Sequence, residues 1–326
     1  MGEQTLEYKP VVIGNGNLSG ETVSQLHASA IFGINVLTDS TEMHRCLQLS
    51  GASVNGNRPD TCNTNFYYLT QSQLPFKTAQ GDPLQQLQVE YPGDIYMSPD
   101  MNNFYFWGID KLGTLVSMIY GIRAIKGVEE GKLGVHSALL YDKNCNCAHL
   151  VIGKNRIGKS TIGQLLEDSG DRFVLMSDDW SEINLADGTV EPMSMIFSPK
   201  QASVHYEPAF ESFGKQFYWK HGVRPYPVLN LGTIIELYGT PQELEDDKFI
   251  QRSMAHIPLI AQPVRHDIFD SPNEFSDEDL ARYVAFQQAY MEMYAVLRNS
   301  HKTIQVVNQK GRVSVEQVTQ QILSNL

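Results

Sequence analysis

Two periods of hydrophobicity run along this chain, and they divide it into readable elements. Leu112, Leu115, Val116, Ile119, Ile122 and Ile125 fall at the i, i+3, i+4 spacing of a helix with a buried face. From Val135 the pattern becomes strand-like. Val135–Tyr141 and Ala148–Ile152 predict a hairpin turning at Asp142-Lys143-Asn144-Cys145-Asn146. Thr161–Glu167 predicts a short helix ended by Asp168-Ser169-Gly170, and Phe173–Met176 a buried strand. Ser181–Met193 reads as strand-turn-strand about Ala186-Asp187-Gly188. Further on come a strand over Val228–Tyr238, a helix over Pro241–Met254 and a long helix over Asp277–Asn299. Thr303–Val307 reads as a last strand and Ser314–Leu326 as a closing helix.

The N-terminal third is less regular. Asn65–Leu69, Leu87–Tyr91 and Phe104–Trp107 are aromatic, strand-like runs separated by turns such as Tyr91-Pro92-Gly93-Asp94, and predict a small antiparallel sheet. Their aromatic residues are expected to pack the sheet faces. Val11-Val12-Ile13 leads into Gly14-Asn15-Gly16, but the third glycine is displaced from the dinucleotide-loop spacing, so the stretch reads as a turn. The fold class expected is α/β with α+β character. A mixed-sheet core over 131–326 follows a separate N-terminal α+β domain over 1–130, the boundary lying at Gly127 and Glu129-Glu130-Gly131-Lys132.

Composition narrows the function classes. At 326 residues, 42% hydrophobic and 19% charged, the chain suits one large or two ordinary globular domains. A net charge of −12 argues against a nucleic-acid partner, whose binding rests on phosphate neutralisation. No uninterrupted apolar run of about 18 residues predicts a membrane span, and the polar N-terminus lacks a secretory core, so a cytoplasmic location is expected. Four cysteines are too few for a disulfide framework. Cys145 and Cys147, one residue apart, are expected as free thiols in a hairpin turn rather than as metal ligands. The stripe Tyr283, Phe286, Tyr290, Met293, Leu297 reads as core or as a subunit interface, leaving a homo-oligomer open.

Candidate chemistry centres on Gly153-Lys154-Asn155-Arg156-Ile157-Gly158-Lys159-Ser160, with an apolar run before it and a helical pattern opening at Thr161. This is the G-x-x-x-x-G-K-[ST] spacing of a phosphate-binding loop. The glycines let backbone N–H groups cradle phosphate oxygens, Lys159 reaches the β/γ-phosphates, and the Ser160 hydroxyl suits Mg²⁺. The helix N-terminus adds its positive dipole end. Asp178 and Asp179 follow a buried strand, 19 and 20 residues past Lys159. A nucleotide site needs one carboxylate for the metal and one to accept a hydroxyl proton; the alternative is a strand-end cap.

The hairpin with Val135-His136-Ser137, the loop Gly153–Thr161, the segment Ser169–Val174 and Ser177-Asp178-Asp179 before a β-turn-β unit together resemble the HPr kinase/phosphorylase group. These enzymes share the phosphoenolpyruvate carboxykinase type of nucleotide site. The resemblance implies a kinase using ATP and Mg²⁺. Gly153, Asn155, Arg156, Ile157, Gly158, Lys159, Ser160 and Thr161 would then hold the nucleotide, and Ser160 and Asp178 the metal. Asp178 or Asp179 would be the base, and His136 would lie near the phosphates or keep a structural role. Arg265 and Arg252 are candidates for an arginine at the transition state, or surface residues. The chain departs from the group at Lys154-Asn155-Arg156 and at Asn230, where the group's segment carries an arginine. The resemblance therefore implies neither the dephosphorylating activity nor HPr as substrate. The activity expected is transfer of the γ-phosphoryl group to a hydroxyl of a small molecule or of a protein or peptide serine. The rival is a catalytically silent nucleotide-binding regulatory or assembly protein.

Overall fold

The computed structural model describes residues 13–14, 17–18, 27–49, 53–54, 64–69, 85–87, 93–98, 102–108, 112–154, 156–193, 197, 206–212, 215–220, 228–245, 277–309 and 312–326. These form mixed α/β structure in two compact units, one ending at Ile122 and the other beginning at Arg123. Among them, no helix is long and apolar enough to cross a membrane.

In the first unit, β1 (Ile13–Gly14) and β2 (Asn17–Leu18) pair antiparallel across the glycine-rich stretch read as a turn. The remaining strands are β3 (His27–Ile31), β4 (Ile34–Thr38), β5 (Ser53–Val54), β6 (Thr64–Leu69), β7 (Gln85–Leu87), β8 (Gly93–Met97) and β9 (Asn103–Gly108). They make one sheet in the order β5-β3-β4-β6-β9-β8-β7. This sheet is mixed, not antiparallel as expected, because β6 pairs parallel with both β4 and β9. For β4 and β6 the connection includes α1 (Thr41–Leu49), a helix not anticipated, as a crossover does; between β6 and β9 the chain carries β7 and β8. The signal for α1 was present: Met43, Cys46 and Leu47 are buried at i, i+3, i+4, and the Ser40 hydroxyl accepts from Met43 N. The aromatic runs do pack the sheet, with Tyr67 stacked on Tyr105 and Tyr68 on Phe106.

The helix α2 (Leu112–Glu129) buries Leu115, Val116, Ile119 and Ile122, as its period requires. The second unit then runs β10 (Lys132–Val135), β11 (Ser137–Asp142), β12 (Cys147–Gly153), α3 (Lys159–Asp168), β13 (Phe173–Ser177), β14 (Ser181–Asn184) and β15 (Thr189–Pro192). After these come the hairpin β16 (Tyr206–Ser212) and β17 (Lys215–Lys220), then β18 (Leu229–Tyr238) and α4 (Pro241–Glu245). The helix Asp277–Ser300, β19 (Lys302–Val307) and the helix Val315–Leu323 close the chain. The expected helix Pro241–Met254 is described only as far as Glu245.

An eight-stranded sheet orders β10-β14-β15-β18-β12-β11-β13, with β19 also on β18. The expected strand Val135–Tyr141 is two strands broken at His136, since β10 pairs with β14 whereas β11 pairs with β12 and β13. Strand direction matters most for the site. β18 is parallel to β12, and β19 to β18; β11 is antiparallel to both β12 and β13, so β13 also runs with β12. Four strands therefore end on one edge, and β11 begins there.

Alternation along these strands builds two cores. Ala148, Leu150 and Ile152 of β12 join Tyr290, Tyr294 and Leu297 of the long helix on one face. Val151 joins Ile162 and Leu166 of α3 and Val318 and Ile322 of the last helix on the other. A sheet covered on both faces explains the continuous apolar run at 150–152. It also assigns most of the long helix's stripe to core: Tyr290 and Leu297 are buried, and Phe286 and Met293 pack against the same cluster. Nothing is described of the Tyr283 side chain.

The last helix carries a full capping box. Gln317 N donates to the Ser314 hydroxyl and Ser314 N to the Gln317 side chain. Ser314→Ala should lower stability by about 1 kcal/mol in a urea titration.

The two cysteines of the hairpin turn are not the free thiols expected. Cys145 and Cys147 are joined in a disulfide at the β11–β12 turn. Asn146, between them, has φ 54°, and the turn's register sets Asp142 opposite Cys147.

Candidate functional site

The carboxyl edge of the second unit's sheet gathers most of the residues that the loop motif singled out. β12 ends in Gly153, and α3 begins at Lys159 behind Gly158. Both glycines are required where they stand. At Gly153 (φ 157°) a Cβ would lie 2.8 Å from Leu237 O and 3.0 Å from Ile157 Cγ2. Gly158 has φ 105°, and a Cβ there would meet Asn308 Nδ2 at 3.0 Å. The loop is thus pressed against β18 and the end of β19, and the Ile157 side chain is sunk in the core. Arg156, also left-handed at φ 60°, is exposed.

Lys159 is buried. Its Nζ donates to Gly153 O at 3.0 Å and Lys154 O at 3.3 Å, which folds the ammonium back over the loop that it closes. Ser160 and Thr161 occupy the next positions of α3, and Ile162 N donates to Gly158 O at 2.9 Å. Nothing is described of Asn155. Lys154 does not add bare charge to the loop, because its Nζ donates to Glu243 Oε1 at 2.6 Å.

β13 delivers the two acids to the same edge. Asp178 is 4% exposed, whereas the Asp179 side chain is 38% exposed. That difference separates them chemically: a buried carboxylate suits a fixed metal contact, and an accessible one can meet an incoming hydroxyl. His136, at the break between β10 and β11, places Nε2 3.4 Å from Asp179 Oδ1. Ser137 N donates to Asp179 O, and the Ser177 hydroxyl donates to Trp180 O, fixing the turn that carries both acids. Arg265 and Arg252 lie outside the described residues.

Sequence reading missed four contributors. Asn308 follows β19 and donates from Nδ2 to Ile157 O at 2.6 Å, while its own N donates to Tyr238 O. It is buried and props the loop from beneath. Asn308→Ala should cost about 1–2 kcal/mol by leaving that carbonyl unpaired, measured as a lower denaturation midpoint. Glu243, besides holding Lys154, accepts from Gly239 N. Its signal was legible, because Thr240-Pro241-Gln242-Glu243 matches a capping pattern and Glu243 N donates to the Thr240 hydroxyl. The hairpin β16–β17 supplies Lys220 and Tyr206. Lys220 Nζ donates to Glu167 Oε1 at 2.5 Å and Leu175 O at 2.7 Å, and the Tyr206 hydroxyl donates to Glu167 Oε2. Burial holds the Lys220 ammonium below its ordinary pKa against the opposing pull of Glu167 and Asp178. Burial, and then the Glu167 and Asp178 charges, push the Tyr206 phenol far up. No local pattern marks either residue.

The oxygen donors Ser160 and Asp178 suit a hard cation. The loop and helix start suit an anion, and the accessible Asp179 suits a proton acceptor. Comparison of the chain with protein-family models and with curated proteins found no match to either.

Proposed function

We propose that the second unit is an ATP-dependent phosphotransferase of the HPr kinase and carboxykinase type of nucleotide site, transferring the γ-phosphoryl group to a hydroxyl. One observation carries the reading: the glycine loop with its buried lysine and the Asp178-Asp179 turn share one edge of one sheet. Backbone amides of 153–160 and Lys159 would hold the triphosphate. Lys159 would trade its bonds to Gly153 O and Lys154 O for phosphate oxygens, so the loop's charge is preorganised. Ser160 and Asp178 would hold Mg²⁺, which when bound neutralises charge on the phosphates. Asp179 would orient the acceptor hydroxyl and take its proton, and His136 would steady that carboxylate. The preferred acceptor is a small molecule, because Asn230 stands where the resembling segment carries an arginine.

The test is incubation with γ-labelled ATP, Mg²⁺ and a panel of hydroxyl metabolites and serine peptides. Label on one acceptor class, lost in Asp179→Asn, is the expected result. Tight nucleotide binding with no transfer to any acceptor would instead favour the silent regulatory protein.

A further inference from the structure

At the opposite end of β12 from the glycine loop, three metal-ligating side chains meet that the proposed chemistry does not use. Cys147 and His149 are alternate residues of β12, so the strand's period of two turns them to one side, and the turn before it, with Asn146 left-handed, brings Cys145 to the same group. Their donor atoms lie within 4.8 Å of one another, and Cys145 Sγ is 4.0 Å from His149 Nε2. The imidazole is 4% exposed. It sits between Asp142 Oδ2, 3.2 Å from Nε2, and a buried Nδ1 with no hydrogen-bond partner among the described residues. Asp142 is itself held by Arg172 and by Asn144 N. Its place opposite Cys147 in the hairpin register brings it to the group.

We infer that this hairpin tip is a thiol-dependent site for one thiophilic cation, zinc foremost, bound by Cys145, Cys147 and His149 and closed when the sulfurs are joined. Zinc–sulfur bonds of about 2.3 Å and zinc–nitrogen bonds of about 2.0 Å set a tetrahedral sulfur–nitrogen edge of roughly 3.5 Å. The Cys145–His149 separation is already close to that edge. The sulfurs must part to about 3.7 Å, a movement within reach of the exposed Cys145 side chain. The chemistry balances. Reduction breaks the S–S bond and gives two thiols: a dithiol supplies two electrons and two protons and leaves as its own disulfide, whereas a phosphine supplies the two electrons and leaves as its oxide, with water giving the oxygen and both protons. Zn²⁺ then releases both thiol protons to solvent and binds two thiolates and a neutral imidazole, a set with no net charge. Solvent completes the fourth position, since Arg172 retains Asp142.

β12 puts roughly 20 Å of strand between this site and the loop, so the outcome here does not bear on the nucleotide reading. The full chain, reduced with a phosphine and freed of metal without air, is titrated with Co²⁺ alone and followed by thiolate charge-transfer and tetrahedral visible absorption. One equivalent should bind, and none should bind to the oxidised protein or to the Cys145→Ser/Cys147→Ser double variant. His149→Gln should weaken binding at least about tenfold, because even an outer partner of a metal ligand is worth that much. Should His149→Gln misfold, alkylation of the reduced wild type decides: one equivalent of Zn²⁺ should shield both thiols in mass spectra. Co²⁺ bound no more tightly than by the double variant, or thiols alkylated equally fast with and without Zn²⁺, would overturn the site.

Discussion

An Asp179→Asn variant is expected to bind ATP as the parent does and to lose about 10³-fold in kcat, close to 4 kcal/mol of transition-state stabilisation. The expectation follows from exposure and position. Asp179 ends the turn after β13, on the edge where the loop opens, and its side chain is 38% exposed while Asp178 is buried. Asparagine keeps the shape and a hydrogen bond to the acceptor, but it cannot take the proton. Single-turnover transfer of labelled phosphate, alongside nucleotide binding by calorimetry, separates the two effects. Asp178→Asn should behave differently and raise the Mg²⁺ concentration needed for half-maximal rate. If Asp179→Asn transferred phosphate at the parental rate, the base would have to be another group and the acceptor side of the proposal would fail.

Lys159→Ala is the second large effect. Nucleotide affinity should fall about 100-fold, or ~2.7 kcal/mol, because a preplaced ammonium makes charge-assisted bonds that neutral donors do not replace. Its bonds to Gly153 O and Lys154 O also close the loop, so part of the loss would come from loop geometry. Lys159→Met removes the charge and keeps the stem; a similar loss there would assign the effect to charge. Parental affinity in both variants, by calorimetry with MgATP, would remove the phosphate-loop assignment.

Much of this edge was legible because its signals are local. The hairpin, the loop, α3, the strand over Phe173–Ser177 and the capped last helix each arise from residues within a dozen positions. There, glycine conformation, capping and hydrophobic period act directly on the chain. Pairing between distant segments was not legible. Nothing in Thr64–Leu69 states that it runs parallel to Asn103–Gly108, and His136 looks like mid-strand until β14 and β12 claim its two sides. Asn308 and Lys220 stayed invisible for the same reason. Each is paired across many residues, Asn308 with Ile157 of the loop and Lys220 with Glu167 near the end of α3.

The cysteines mark the division most sharply. Cys145, Cys147 and His149 sit in plain view at alternate positions, yet the spacing of the two cysteines matched no usual zinc motif and suggested free thiols. By itself the sequence determined the glycine spacing of the loop, the period of most elements and the adjacency of the two acids, since these depend on neighbours along the chain. Only the tertiary structure decided which strand ends share an edge, which acid is buried and which imidazole lies beside the sulfurs. Those are matters of register and burial, and they exist only once distant segments are packed together.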